Sequence, residues 1–312
     1  MEVAKSAQVV LEEVLFHMAN HLYMETRVDN LCLAGGVALN CVANGKLFDN
    51  TLFRQIFVQP AAGDAGTSIG AALYMYHLYN CGPRCYQMKD AYLGPSYSNQ
   101  RCVDALKEFG FSYYEDLTNE KLCSIIAASL SNGKLVCWFQ GHIEWGPRAL
   151  GNRSLLADPR RAEMKDIINC KVKQRESFRP FAPSVLEEES FSYFGNPIPS
   201  PFMLFAFKVN PDKLKEISAV THVDGTARPQ TVSKDTNPHY WDLIKEFEKL
   251  TGVPVLLNTS FNVQEPIVCS PKDAVACFLK TKVDYLVLNN LLTEQPYKTP
   301  SWIKDLWQKK PY

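Results

Sequence analysis

The chain reads as an α/β protein in two units, on three observations. Segments of helical period alternate with short apolar runs of strand type over most of the 312 residues. Two of those runs, "NLCLAG" and "QIFVQP", lead through glycine turns directly into helices. A stretch rich in Gly, Pro, Ser and Asn, from "NCGPRC" to "YLGPSYSNQ", interrupts the alternation after residue 80.

In order along the chain, residues 4–26 carry an amphipathic helical period and are followed by the strand "NLCLAG". A second helix is expected to begin near Ala38. The strand "QIFVQP" then passes through "AAGDAG" into the helix "TSIGAALYMYHLY". Beyond the Gly/Pro-rich stretch, a helix is predicted near 119–132, then the strand "KLVCWFQ" and a motif-rich segment over 141–184. Strands at "FMLFAF" and "VPVLLN", a helix at "PKDAVACFLK" and a strand at "DYLVLNN" complete the pattern.

Lysine plus arginine equals aspartate plus glutamate at 33 each, so no overall field draws the chain toward nucleic acid or a membrane surface. No apolar stretch approaches the roughly 18 residues of a membrane-spanning helix. The ten cysteines form no paired CxxC knuckles. Cys81 and Cys85 in "CGPRC" are either a loop or, less in keeping with the spacing, a metal or disulfide pair. The others lie mostly in apolar runs and read as buried free thiols, which suits a reducing cytoplasm. His17 and His21 stand four apart on one helix face, which reads as an ordinary helix face, with a ligand pair as the lesser alternative.

Five motifs carry chemistry. In "LCLAGGVALN", Gly35 and Gly36 end a strand just before a helix, where positive φ and unpaired N–H groups suit either an anion or a plain tight turn. Asn40 follows, in reach of a nucleotide. In "PAAGDAGTSIGAAL", Asp64 is either the cap of the next helix or a carboxylate aimed at a metal. In "EWGPRALGNRSLLADPRR", Arg148 and Arg153 can fork onto one phosphate or carboxylate, with a surface salt-bridge turn as the alternative.

The fourth motif is "INCKVKQRESFRPFAPS", with four cations, Lys171, Lys173, Arg175 and Arg179, set against an apolar strand. The fifth, "VPVLLNTSFN", ends a strand in Asn258, Thr259 and Ser260, and "DGTARPQTV" adds Arg228. Cations, hydroxyls and an amide at the ends of apolar strands make a polyanion pocket, because buried charge persists only when paired. Nucleotide phosphates are the expected occupant.

Taken together and in order, these motifs closely resemble the O-carbamoyltransferases of the NodU/CmcH type. The resemblance implies an α/β architecture of two domains. Residues 1–95 would be the C-terminal half of an actin-like ATPase-superfamily domain that holds the transfer site, with its N-terminal half absent. Residues 96–312 would be a YrdC-like domain that makes carbamoyladenylate from ATP and carbamoyl phosphate. The resemblance assigns Lys173, Arg179 and Arg148 to catalysis, and Arg228, Asn258 and Ser260 to the adenylate-forming pocket. It assigns Gly35, Gly36 and Asn40 to the adenylate at the transfer site and Asp64 to a metal. It implies a divalent metal, magnesium with ATP or iron at the transfer site, and a small-molecule hydroxyl as acceptor. Neither nucleic acid nor membrane is expected as a partner, whereas a homodimer or association through the incomplete domain is. Two other readings stay open: a truncated paralogue that binds nucleotide or a partner, and a threonylcarbamoyladenylate synthase for tRNA modification.

Overall fold

The computed structural model describes residues 2–114, 117–196 and 198–295. The expected second domain runs to 312, so its last residues, 296–312, lie outside the described ones.

The first unit opens with α1 (Glu2–Thr26), β1 (Asn30–Leu33), α2 (Cys41–Asn50), β2 (Gln55–Val58) and α3 (Thr67–Asn80). Strands β1 and β2 pair in parallel, Leu31 beside Ile56 and Leu33 beside Val58. Leu31, Ile56 and Val58 are buried with Leu47 and Phe53, while Phe57 on the opposite face is 41% exposed. Helix α2 starts later than the period suggested. Gly36–Leu39 forms a tight 3-10 turn, and the Asn40 side chain then accepts from Ala43 N to cap α2. Residues 81–98 hold no helix or strand.

The second unit continues with α4 (Asn99–Glu108), α5 (Asn119–Ser131), β3 (Val136–Phe139), β4 (Arg153–Ala157), α6 (Met164–Ile167) and β5 (Ala182–Leu186). There follow α7 (Ser190–Phe194), β6 (Phe207–Lys208), β7 (Thr226–Ala227), β8 (Gln230–Val232) and α8 (Pro238–Thr251). The unit ends with β9 (Val255–Ser260), α9 (Pro271–Lys280), β10 (Tyr285–Leu288) and β11 (Leu291–Glu294). Seven strands make one mixed sheet in the order β11-β10-β3-β4-β9-β5-β8, and β6-β7 is a separate hairpin pair. The amphipathic α8 and α9 are pinned by local chemistry. Asn237 caps α8, and Ser270 with Asp273 forms a reciprocal capping box at α9.

The expected strand at "FMLFAF" is not one. Only Phe207 and Lys208 pair, and Met203 takes φ +56, which breaks an extended path. The segment is apolar for a different reason: it lies along α2. Ala206 N donates to Cys41 O, and the fully buried Asn44 donates to both Ala38 O and Leu204 O. A Cβ on Gly45 would come within 2.0 Å of Ala206 O, so that position must be glycine for the backbone to pass. Phe48 packs on Phe205 and Phe207. This contact ties the first unit's glycine turn to the second unit's β6.

Candidate functional site

The loop between β3 and β4 is folded around one buried carboxylate. Glu144 Oε1 accepts from the backbone N–H groups of Leu150 (2.8 Å), Asn152 (2.7 Å) and Arg153 (3.1 Å). Gly146 (φ +119) and Gly151 (φ +98) make the two reversals that this requires. A Cβ on Gly146 would lie 2.7 Å from Pro60 O, so the loop is seated against the first unit.

This folding separates the two arginines that the sequence put together. Arg153 is fully buried. Its guanidinium sits 3.5 Å over the Phe139 ring and donates to the carbonyls of Gln140 (2.5 Å), Asn152 (2.9 Å) and Gly141 (3.2 Å). The shared fork expected of Arg148 and Arg153 is therefore corrected: β4 pairs Arg153 with Phe139 and draws it inward, toward backbone carbonyls. Arg148 takes the other direction. It is half-buried, its Nε is enclosed with no acceptor, and no ion pair is formed by it among the described residues. Burial first, then the charge of Arg228, pushes its pKa down to about 10.

Arg228, just after β7, also keeps a buried Nε without an acceptor. Arg175 faces the same charge: its pKa is lowered by burial, then by Arg179, and also by Arg228. Arg175 stacks on Phe181 and donates to Asn169 Oδ1 at 2.7 Å. Lys165 of α6 adds its field at the neighbouring His222. Arg148 and Arg175 thus share the charge of Arg228, and among the described residues none of the three makes an ion pair with a carboxylate.

The basic run divides four ways. A π-helical turn, Ile168–Lys173, ends in Gln174 with φ +47, which reverses the chain within the run. Lys171 is exposed and Lys173 is buried. Lys173 Nζ donates to Ser260 O (2.6 Å), Ser260 Oγ (3.1 Å), Asn262 O (2.9 Å) and Asn262 Oδ1 (2.7 Å). Burial, then Arg175, pulls its pKa down to about 8. Arg179 is exposed and pairs with Glu176 at 2.9 Å. Asn258 is buried and donates to Ser184 Oγ (2.9 Å), Gln230 Oε1 (3.1 Å) and Ala149 O (3.3 Å), which props the backbone beside Arg148.

In the first unit the two glycine turns lie side by side at the C-terminal ends of the parallel strands. Gly35, with φ +101, donates its N–H to Ala62 O at 2.7 Å. Open α/β units place ligands at this end of the sheet. Asn40 is held by its capping bond and by Gln8, to which it donates at 2.8 Å. Asp64 is exposed, and its carboxylate has no hydrogen-bond partner among the described residues. The capping alternative for Asp64 falls, because α3 starts after Gly66 with no side-chain cap. A metal would need more ligands than Asp64 supplies: among the described residues no group of three His, Cys, Asp or Glu side chains fits one. His17 and His21 are both exposed on α1. All ten cysteines are free; Cys32 and Cys170 are exposed, contrary to the expectation of burial.

Residues 127–295 match the family model for the carbamoyltransferase C-terminus, and residues 1–73 match that for the carbamoyltransferase N-terminus. The chain belongs to the carbamoyltransferase family. It is 47% identical over 309 residues to nodulation protein NolO of Bradyrhizobium diazoefficiens, covering 97% of this chain and 56% of that one. It is 45% identical over 317 residues to nodulation protein NolNO of Sinorhizobium fredii, covering 100% and 46%. A Synechocystis protein is 47% identical over 330 residues, covering 96% and 53%. The chain spans about half the length of the curated relatives it matches.

The cation cluster falls inside the carbamoyltransferase C-terminal match and the glycine turns inside the N-terminal one. Cys41, the first residue of α2, acts electrostatically on Arg148, so the cluster borders the first unit. Sequence reasoning named Arg175 only as one of four cations, and it missed Asn262 as an anchor of Lys173. Nothing local separates Arg175 from Arg179. The left-handed Gln174 and the hold of Asn169 on both Arg175 Nε and Arg179 O decide between them.

Proposed function

We propose that the second unit forms carbamoyladenylate from ATP and carbamoyl phosphate, and that the first unit is part of the site that passes the carbamoyl group to an acceptor hydroxyl. The observation that carries this reading is Arg148 and Arg228, whose enclosed Nε groups find no acceptor and which form no ion pair among the described residues, with Arg175 beside them. Desolvated like charges repel, so an anion of several negative charges between them would bind favourably. ATP and carbamoyl phosphate are anions of that kind.

In this reading, carbamoyl phosphate loses phosphate to water and leaves carbamate. A carbamate oxygen attacks the α-phosphorus of ATP, and the bond to the bridging oxygen breaks to release pyrophosphate. Two anions must approach, so fixed guanidiniums on the phosphate oxygens lower the barrier without reorganising. Arg148 and Arg228 are assigned to those oxygens, with Arg175 beside them and Arg179 at the exposed rim. Lys173 acts by fixing Ser260 and Asn262, and Asn258 by fixing the Ala149 carbonyl. An acceptor hydroxyl then attacks the carbamoyl carbon and AMP leaves, with Gly35, Gly36 and Asn40 assigned to the adenylate. Magnesium arrives with ATP as part of the substrate. No step is assigned to Asp64, which lacks partner ligands. ATP and carbamoyl phosphate put the reaction in the cytoplasm, and the acceptor is a small molecule.

The uncovered faces of α1 and α3 support association. Val10, Met18, Tyr74 and Tyr79 are 58%, 63%, 68% and 75% exposed. An open apolar groove of about 900 Å³ runs along α1, lined by Val10, Val14, Met18, Leu33 and Val37. Patches of this kind mark protein contacts. The proposed occupant is polypeptide equivalent to the half of the relatives that this chain does not match.

The test is pyrophosphate release by this chain from ATP, with and without carbamoyl phosphate. Release that requires carbamoyl phosphate and falls in Arg148→Ala and Arg228→Ala supports the reading. ATP binding with no release would favour a nucleotide-binding paralogue, and no binding of ATP would overturn the anion site.

A further inference from the structure

Gln230 opens β8 and is buried. The two ends of its amide meet different partners. Nε2 donates to Leu150 O at 2.7 Å, while Oε1 accepts from Ser184 Oγ at 2.7 Å and from Asn258 Nδ2 at 3.1 Å. Leu150 lies two residues beyond Arg148, and Gln230 lies two residues beyond Arg228. The bond from Gln230 to Leu150 therefore joins, across 80 positions of chain, the two segments that carry the enclosed guanidiniums.

The amide can sit only one way round. A carbonyl oxygen accepts and cannot donate, so the NH2 group must face Leu150 O, and Oε1 is left for the Ser184 hydroxyl and the Asn258 amide. Asn258, Ser184 and Gln230 stand on three adjacent strands, β9, β5 and β8. Asn258 Nδ2 also donates to Ser184 Oγ (2.9 Å) and to Ala149 O (3.3 Å), so the carbonyls of both residues after Arg148 are held from this sheet. Leu150 O already accepts from the Tyr92 hydroxyl at 2.7 Å, which itself accepts from Asn237 Nδ2 at 2.9 Å. The Gln230 bond is thus not needed to satisfy that carbonyl. What it adds is a fixed distance between β8 and the loop that bears Arg148.

We infer that Gln230 is a positioning residue of the arginine cleft, setting the spacing of the Arg148 loop and the Arg228 segment so that both guanidiniums close on one polyphosphate. This rests on the cleft being an anion site. The Nε groups of both arginines are enclosed without an acceptor, and the charge of Arg228 acts on Arg148. Two like charges on loosely joined segments would spread apart, and an arriving anion would have to draw them together again. A backbone already tied at Leu150 spares that reorganisation, which lets two contacts act as one.

The test is a double-mutant cycle on the full chain, with inorganic triphosphate as the probe and calorimetry as the readout. With Gln230 in place, Arg148→Ala and Arg228→Ala together should weaken binding by about tenfold less than the product of their separate losses, because the first removal already forfeits the two-point hold. In Gln230→Met that shortfall should shrink to about twofold or less, and triphosphate should bind about tenfold more weakly than to the wild type. Gln230→Asn keeps an amide in the strand but stops a methylene short of Leu150 O, so it should lose the same coupling even if Gln230→Met does not fold. Thr231→Val is the control for a general loosening of β8. It removes the acceptor of Ser200 N, a bond outside this network, and should lower stability with affinity and coupling unchanged. Coupling that survives in Gln230→Asn, or that Thr231→Val reduces as much, overturns the inference and leaves the anion site standing. Arginines that show no coupling in the presence of Gln230 overturn it too. If triphosphate does not bind the wild type at all, the anion site and the inference fall together.

Discussion

Helix α3 has no buried residue, whereas every residue of β3, β4 and β5 is buried. The first unit has two short parallel strands with an apolar residue, Phe57, on their open face, although parallel sheets are normally covered on both faces. The second unit closes seven strands under α5, α8 and α9, and even its arginine at position 153 is wrapped in carbonyls. The two units are also unsatisfied in different currencies. What the first leaves open is apolar area, which another polypeptide can cover. What the second leaves open is positive charge at Arg148 and Arg228, which a small anion can neutralise.

The sharpest way to break this comparison is at Gly151. Its φ is +98, and an added Cβ would meet the Tyr240 ring at 2.2 Å. Gly151→Ala should cost about 3–5 kcal/mol, combining left-handed strain with overpacking. Urea unfolding reads it. A loss under about 1 kcal/mol would mean that the second unit is not close-packed around the loop.

Next in size are the unpaired cations. Arg148→Ala or Arg228→Ala should weaken ATP binding by about 10- to 150-fold, the worth of one charge-assisted contact of about 1.5–3 kcal/mol. Stability should stay level or rise, because each change relieves repulsion between enclosed charges. Calorimetry and urea unfolding on the same variant separate the two. A matched loss of both would make these arginines ordinary core.

A smaller effect is expected at Lys173. Burial depresses its pKa to about 8, so it stays mostly charged at neutral pH and gives up its proton as pH rises through that value. Losing one N–H among four acceptors should cost roughly 1 kcal/mol of positioning, about fivefold in ATP affinity, between pH 7 and 9. Lys173→Met should bind ATP weakly at every pH and show no such limb. A limb that persists in Lys173→Met belongs to another group.

The smallest effects on stability belong to the first unit. Asp64→Ala should change the unfolding free energy by less than about 0.5 kcal/mol, since Asp64 caps nothing, against about 0.5–2 kcal/mol for a true cap. Val10→Asp and Tyr79→Asp should likewise leave stability within about 0.5 kcal/mol. In sedimentation they should abolish self-association of the isolated chain. An unchanged sedimentation profile would remove the idea that these faces seek a protein partner.

Much of this contrast was legible along the chain. The α1, α3, α5 and α9 periods and the strands of "KLVCWFQ" and "DYLVLNN" are local signals, and the helices and strands stand where they pointed. Several elements were missed, α4, α8 and β4 among them. α4 is mostly polar, and α8 begins at Pro238 within a polar stretch. β4 was hidden in the "GNRSLLADPRR" segment because an arginine heads it. The "FMLFAF" run carried the apolar character of a strand but gains its burial from α2, 150 or more positions away, as the Asn44–Leu204 bond records.

By itself the sequence determined the alternation of helices and strands, the glycine turns at strand ends and the kinds of charge available near them. These depend on φ preferences and on side-chain period, which act over a few residues. The fate of each cation was decided by the tertiary structure alone. Arg148 and Arg153 differ by five positions, yet one faces Arg228 and the other is held by Phe139 and Gln140. Lys173 is held inside by Ser260 and Asn262 from across the chain, while Arg179 stays outside with Glu176. Whether a charge is free or satisfied is a sum over every dipole and charge around it, and folding brings those neighbours from distant parts of the chain.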